Sequence, residues 1–442
     1  MRTLIQHVQL VTMNATRDVF QDGYLIIQDT QIAALGAMED LTEELSRFDK
    51  VIDGEQGILM PGMINTHTHI GMIPFRSLGD DVPDRLRRFL FPLEQHMTKE
   101  LAYHSGKYAI AEMQLAGVTS FMDMYYFEDE LAKATAEMGS RGILGETVID
   151  FPTCDAQEPH GGLAYAENYI PKWLENPLIT PAIAPHAPNT NSQAALEKTI
   201  ALAEQYDVPV SLHVSEMDYE VQYFMDKYGL TPVGYLHKIG FLSPRVIAAH
   251  CIFLTDEDIL ILKETGTKVA HCIGANTKSA KGVARIQDLL AAGVPVGLGT
   301  DGPSSGNTLD LFTQMKLFAN FHKTTLKNRG AFPAVEIVSL ATNGGAEVLG
   351  LSKKVGSLEV GKQADVVLVE TKSVNMFPNF DPYAVLVYSG NASNVELVYI
   401  NGTCVVEKKQ LVQQSLSSLQ QNLQKEMSDF KKRATELAQK EL

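Results

Sequence analysis

Two histidines one residue apart, His67 and His69 in Ile64-Asn65-Thr66-His67-Thr68-His69, point most directly to chemistry in this chain. In a helix their side chains would diverge by roughly 200°. At the end of a strand, or in the loop after it, both imidazoles can close on one ion, and neutral imidazole is a common ligand for zinc and similar metals. The remaining donors stand far along the chain: His213 in His213-Val214-Ser215-Glu216 and Asp301 in Gly299-Thr300-Asp301-Gly302. Three nitrogens and one carboxylate oxygen leave room for a water in a site of four or five ligands, the pattern of a catalytic centre rather than a closed structural one.

A divalent ion in such a site lowers the pKa of its water from ~15.7 to ~7, so hydroxide becomes available at neutral pH. Asp301 can touch the metal and also take the water's proton. His250, in Ala248-Ala249-His250-Cys251, is placed to hold that hydroxide or the oxyanion formed as it attacks. Glu216, three residues after His213, suits a proton carrier that protonates a ring nitrogen as water adds and then helps an amine leave. Taken singly, the histidine pair reads as two polar loop residues and Glu216 as an exposed carboxylate. Their combination is what carries the reading.

These residues need a scaffold that brings distant strand ends together. Apolar β runs alternate with helical stretches through the middle of the chain, the signature of βα units and a parallel sheet. The runs end at His69, Asp123, Asp150, His186, His213, His250, His271 and Asp301, which gives the eight strands of a (β/α)₈ barrel. Such barrels build their active sites at the C-terminal strand ends. The runs are almost continuously apolar (Val246-Ile247-Ala248-Ala249), as strands covered on both faces require.

Short β runs before residue 57 return in texture after residue 354, and the two chain ends can pair into one small β-sandwich. The organisation expected is therefore 1–56 with 355–410 as a composite β-sandwich, 57–354 as the barrel, and 411–442 as a C-terminal amphipathic helix. That helix carries Leu416, Leu419, Leu423, Met427, Phe430, Ala434 and Leu437 at helical spacing. The long connection from Gly71 to about Glu100 reads equally as a lid over the barrel mouth or as a solvated helix with an apolar underside.

With 442 residues, 45% of them hydrophobic, the chain can bury a large core. A net charge of −16 excludes the basic footprint of a nucleic-acid binder and disfavours an anionic membrane surface. No apolar run reaches the length of a membrane span. The first residues lack a signal-peptide core, which points to the cytoplasm. Cys154, Cys251, Cys272 and Cys404 include no CxxC pair and read as free thiols. A homo-oligomer is left open.

The pieces Pro61-Gly62-Met63-Ile64-Asn65-Thr66-His67-Thr68-His69, His213-Val214-Ser215-Glu216, Ala248-Ala249-His250-Cys251 and Gly299-Thr300-Asp301-Gly302 resemble the amidohydrolase superfamily. More closely they look like its methylthioadenosine/S-adenosylhomocysteine deaminases and chlorohydrolase-like enzymes. The resemblance runs over nearly the whole chain. It implies one divalent metal ion, zinc or in some relatives iron. It also implies a small heterocyclic substrate, a role for Glu94 with ribose hydroxyls, and a place for His186 near the heterocycle. The fourth strand ends in His186 and not in a lysine, so no carbamylated lysine can bridge two metals there.

Adenosine-type relatives place two arginines after the third strand. Here Gly142 to Ile170 holds no Arg or Lys, and Glu146, Thr153 and Leu163 stand roughly where positive charge is expected. A substrate with a free carboxylate would meet an acidic pocket unless Arg85, Arg87 or Arg88 substitutes. His271 is read as pocket lining, and Asp123 as a group that orients a ligand histidine through its other ring nitrogen.

The function expected is hydrolytic deamination of an aminopurine-type ring such as that of 5'-methylthioadenosine, S-adenosylhomocysteine or adenosine. One alternative is a deaminase or chlorohydrolase of a guanine, pterin or s-triazine ring. Another, of a different class, is a non-catalytic scaffold on the same barrel.

Overall fold

The computed structural model describes residues 1–441. Two compact units make up the chain. One comprises Met1–Asn65, Ala111–Ser120 and Asp310–Ser415; the other comprises Thr66–Ile110, Phe121–Leu309 and the chain from Leu416 onward.

The first unit holds a nine-stranded, mostly antiparallel sheet to which both chain ends contribute. Its strands include Arg2–Val11, Val19–Gln28 and Gln31–Ala37 from one end, and Val366–Val369, Val395–Ile400 and Thr403–Glu407 from the other. Ile58–Pro61 joins the two sets. It pairs parallel with Gln9 and Leu10 on one side and antiparallel with Val366–Val369 on the other. Ile5, Leu25, Leu368 and Tyr399 share one buried core, so each chain end completes the apolar face of the other.

The boundaries read from sequence move accordingly. Ile58–Pro61, assigned to a barrel over 57–354, is a strand of the end sheet. Its uniformly buried four-residue run looks like a barrel strand because it too is covered on both faces. Residues 310–354 also fall in the first unit. The single helix expected over 411–442 is two, Leu416–Glu426 and Ser428–Glu441, and Gln410–Leu411 is a short strand. Leu419, Leu423, Phe430 and Ala434 are buried, and the Phe430 ring meets Phe75 at 4.8 Å.

The other sheet has eight strands in sequence order: Met63–Thr68, Val118–Tyr125, Arg141–Val148, Ile179–Pro185, Val210–Val214, Val246–His250, Lys268–His271 and Val296–Leu298. The pairings from the third strand to the eighth are parallel. The two edges meet where Asp301 N–H donates to the His67 carbonyl at 3.0 Å, which closes a (β/α)₈ barrel. Helices follow the strands with local start signals; Thr255 and Asp258, for example, form a reciprocal capping box at the start of Asp256–Thr265.

The connection after the first strand is folded, with turns of helix at Ile70–Phe75, Leu86–Leu90 and Phe91–Glu94 and with Phe75 and Phe89 buried. Arg85 anchors it by donating to the carbonyls of Phe75, Leu78 and Ser304. Among the described residues no helix is long and apolar enough to cross a membrane.

Candidate metal centre

The strand ends bring together residues more than two hundred positions apart. The ligand atoms of His67, His69 and His213 lie within 4.8 Å of one another, and so do those of His67, His250 and Asp301. His69 Nε2 is 3.1 Å from Asp301 Oδ1, and His250 Nε2 is 4.0 Å from Asp301 Oδ2. His67 stands at the centre: its ring lies 4.8 Å from that of His69 and 4.9 Å from that of His213. Glu216 Oε1 is 3.7 Å from His250 Nε2.

The backbone that presents these side chains is bent where it must turn them inward. Ser215, His250 and Asp301 all adopt left-handed φ, at 51°, 71° and 58°. Non-glycine residues hold that conformation at a cost that clusters at functional sites. Glycine on either side lets Asp301 approach. A Cβ at Gly299 would sit 3.0 Å from the His67 carbonyl oxygen, and one at Gly302 would sit 3.1 Å from His69 Cδ2. Asp301 Oδ1 also accepts the Gly302 N–H at 2.6 Å, and Thr68 Oγ1 donates to the Asp301 carbonyl at 3.1 Å.

Ring orientation comes largely from the main chain. His69 Nδ1–H donates to the Met124 carbonyl and His213 Nδ1–H to the His186 carbonyl, both at 2.6 Å, while His250 Nδ1–H donates to Asn276 Oδ1 at 2.7 Å. In each case Nδ1 is held by its acceptor and Nε2 is turned toward the cluster, and for His69 and His213 this is the orientation a metal ligand needs. Asp123 does not take the part expected of it. Its Oδ1 accepts the Ile70 N–H at 2.6 Å, so it secures the backbone just past His69 rather than the ring. Asn276 and the two carbonyls were missed in the sequence. Only Asn276 left a signal there, as a polar residue inside the small apolar run after the seventh strand.

The donor set suits a divalent cation. Both ring nitrogens of His67, and Nε2 of His250, are buried with no hydrogen-bond partner. A buried polar atom without a partner costs about 1–3 kcal/mol, so such atoms call for an explanation. Burial, reinforced by neighbouring histidines, holds His67 and His213 well below the usual imidazole range, which keeps them neutral as ligands must be. Burial would lower His69 as well, but the hydrogen bond and charge of Asp301 outweigh it and raise His69 to about 9. For Asp301 burial works upward, and His69 overrides it to hold the carboxyl well below its ordinary value.

Of the other residues singled out, His186 is a direct neighbour: its ring lies 5.0 Å from that of His213 and its Nδ1 3.1 Å from Thr190 Oγ1. Phe91, from the connection after the first strand, stands edge-on to His186 at 5.9 Å and to Phe151 at 5.3 Å. Glu94 is buried, and that burial raises it to about 7 against the opposing charge of His69. His271 is fully buried at the seventh strand end.

Glu146 is fully buried too and accepts the Glu128 N–H at 3.3 Å. It belongs to the interior rather than to an open acidic wall, and burial pushes its pKa well up. Asp150 is exposed and takes no part in the cluster. Arg85 is committed to backbone carbonyls, and Arg87 lies over the Tyr219 ring at 5.5 Å.

Residues 58–405 match the model of the amidohydrolase family. The chain is 36% identical over 422 residues to a 5-methylthioadenosine/S-adenosylhomocysteine deaminase of Syntrophobacter fumaroxidans, covering 95% of this chain and 96% of the relative. It is 36% identical over 414 residues to a 5'-deoxyadenosine deaminase of Methanobrevibacter smithii, covering 92% and 94%. An adenosine deaminase from Xanthomonas campestris, solved with bound zinc, superimposes with a TM-score of 0.93 at 32% identity over 98% of each chain.

Proposed function

The chain belongs to the amidohydrolase family, enzymes that here include hydrolases of C–N bonds, and we propose that it is a metal-dependent deaminase of adenosine-type nucleosides. The observation that carries this is the buried convergence of His67, His69, His213, His250 and Asp301, with unpartnered nitrogens at its centre and Glu216 beside it. The likeness to relatives named for 5'-methylthioadenosine, S-adenosylhomocysteine and 5'-deoxyadenosine supports the choice of ring.

His67, His69, His213 and Asp301 would hold one divalent cation, and zinc is our choice because the similar Xanthomonas structure contains it. When bound, such an ion supplies water with a pKa brought from ~15.7 to ~7. Asp301 would take a proton from the attacking water as it adds to the amine-bearing ring carbon. His250, its ring fixed by Asn276, would accept from the attacking water through Nε2 and so orient it. Glu216 would give a proton to the adjacent ring nitrogen. Asp301 would pass the proton it took to the amine, which leaves as ammonia, and the hydroxyl proton released as the carbonyl forms would restore Glu216. Glu94 accepts from the ribose hydroxyls and His186 borders the heterocycle. We place the enzyme in the cytoplasm, a reading supported by four cysteines with no bridge among them.

The test is ammonia release by zinc-loaded enzyme from adenosine, 5'-methylthioadenosine, 5'-deoxyadenosine and S-adenosylhomocysteine, set beside guanine, a pterin and an amino-s-triazine. Turnover of nucleosides that a chelator stops and zinc restores is the expected result. Turnover of the free bases alone would replace this substrate assignment, and silence across both groups would end it.

A further inference from the structure

Glu216 does not hang freely from the loop after the fifth strand. Its N–H and that of Ser215 donate to the two oxygens of the buried Glu220 carboxylate, each at 2.9 Å. Its side chain meets Lys281, whose Nζ lies 2.5 Å from Glu216 Oε1. Lys281 follows the helix Ile273–Lys278 through a turn in which Ala280 is left-handed at φ 53°, and the Lys281 N–H donates to the Asn276 carbonyl at 2.9 Å.

Asn276 thereby serves twice. Its carbonyl fixes the backbone of Lys281, and its side-chain oxygen fixes the His250 ring. The His250 ring in turn faces Glu216 at 3.7 Å. Glu216, Lys281, Asn276 and His250 close a circuit drawn from the ends of three successive strands.

An exposed ion pair holds little geometry, because two long side chains in water lose more freedom than they gain in attraction. This pair is different: each side chain is only 19% exposed, and the carboxylate it ends on is the proton carrier. Lys278, three residues earlier, goes elsewhere and ties Asp80 to Asn307. The two lysines of this segment are therefore divided between two tasks, one on the connection after the first strand and one on Glu216.

We infer that Lys281 is a positioning residue for Glu216. It holds Oε1 against the same segment that orients His250, so the proton carrier and the imidazole facing the attacking water keep a fixed relation through turnover. The inference rests on the deaminase reading for the meaning of that relation, while the clamp itself can be measured without it.

The test pairs Lys281→Met with Lys281→Arg. The methionine variant should lose about 10–100-fold in kcat, the range typical of a supporting residue, with KM within about twofold of the parent, and arginine should restore most of the loss. A rise in KM with kcat intact would make Lys281 a substrate-binding cation and overturn the inference. An unchanged kcat, or an arginine variant as impaired as the methionine one, would overturn it equally.

Labelling of lysines by an acylating reagent, followed by mass spectrometry, reads the clamp without catalysis. Lys281 should react slowly in the parent and severalfold faster in Glu216→Ala. Equal rates would mean no clamp in solution. A protected Lys281 in a protein that deaminates no nucleoside would leave the clamp standing and remove the substrate reading instead; an unprotected Lys281 in an active deaminase would do the reverse.

Discussion

Two polar residues, one partly and one completely buried, stand at the ends of apolar strands in this molecule, and they are satisfied in opposite ways. Glu370 follows Val366–Val369 in the end sheet. Its Oε1 accepts from Ser373 Oγ, Asn394 Nδ2 and Lys409 Nζ, and its Oε2 from the N–H groups of Lys372 and Ser373. His67, near the end of Met63–Thr68, is completely buried and neither of its nitrogens has a partner. A polar group that serves the fold is closed by the fold. His67 is open at both nitrogens of one ring, in a cluster of other donors, and that points to a partner from outside the chain.

The largest expected effect breaks the comparison from the functional side. His67→Leu should lose cation affinity and deaminase activity by more than the ~100-fold that a supporting residue costs. Thermal unfolding of the metal-free variant should show stability equal to or above the parent's, since two unpartnered nitrogens are removed, each costing about 1–3 kcal/mol. A metal-free variant that unfolds well below the parent would make His67 a structural residue like Glu370. Asn276→Ala comes next. Freeing Nδ1 of His250 should reduce kcat about 10–100-fold and leave the cation dependence at the parent's, measured by titrating zinc into chelated enzyme.

Glu370→Gln is the mirror image and smaller. Denaturant unfolding at neutral pH should show a loss of about 1.5–3 kcal/mol, the worth of a hydrogen bond to a charged group, while kcat and KM stay at parent values. The same variant carries the smallest effect, its pH dependence. Burial would raise Glu370, but its hydrogen bonds from Ser373, Asn394 and Lys409 prevail and hold it at about 2, below its ordinary 4.5. A carboxyl lowered in this way contributes its full stability above the ordinary value and loses it as pH falls toward the folded one. The stability gap between parent and variant should thus be complete above pH 4.5 and should close by about pH 2. A gap that persists at pH 2 would assign the loss to packing rather than charge.

The barrel was legible because its strands are apolar on both faces and each closes on a residue type that does chemistry. The same property misled at Ile58–Pro61, whose fully buried run belongs to the end sheet; burial on both faces does not say which sheet provides them. The convergence of His67, His69, His213, His250 and Asp301 could be anticipated because these residues stand in four short motifs whose combination, more than any one strand end, points to a metal. What holds them could not. The Met124 and His186 carbonyls carry no side-chain signature, and the left-handed φ at Ser215, His250 and Asp301 falls on residues whose type does not announce it. Glu146 and Asp123 show the converse. Their types suggested pocket and ring contacts, and tertiary packing spends both on backbone N–H groups instead.

Metal analysis bears most directly on the central claim that three imidazoles and one carboxylate are built to grip a single cation. Parent protein reconstituted with zinc and freed of excess should hold one ion per chain, and His67→Leu and Asp301→Ala prepared identically should hold far less. A parent that retains no ion, or variants that retain as much as the parent, would contradict it.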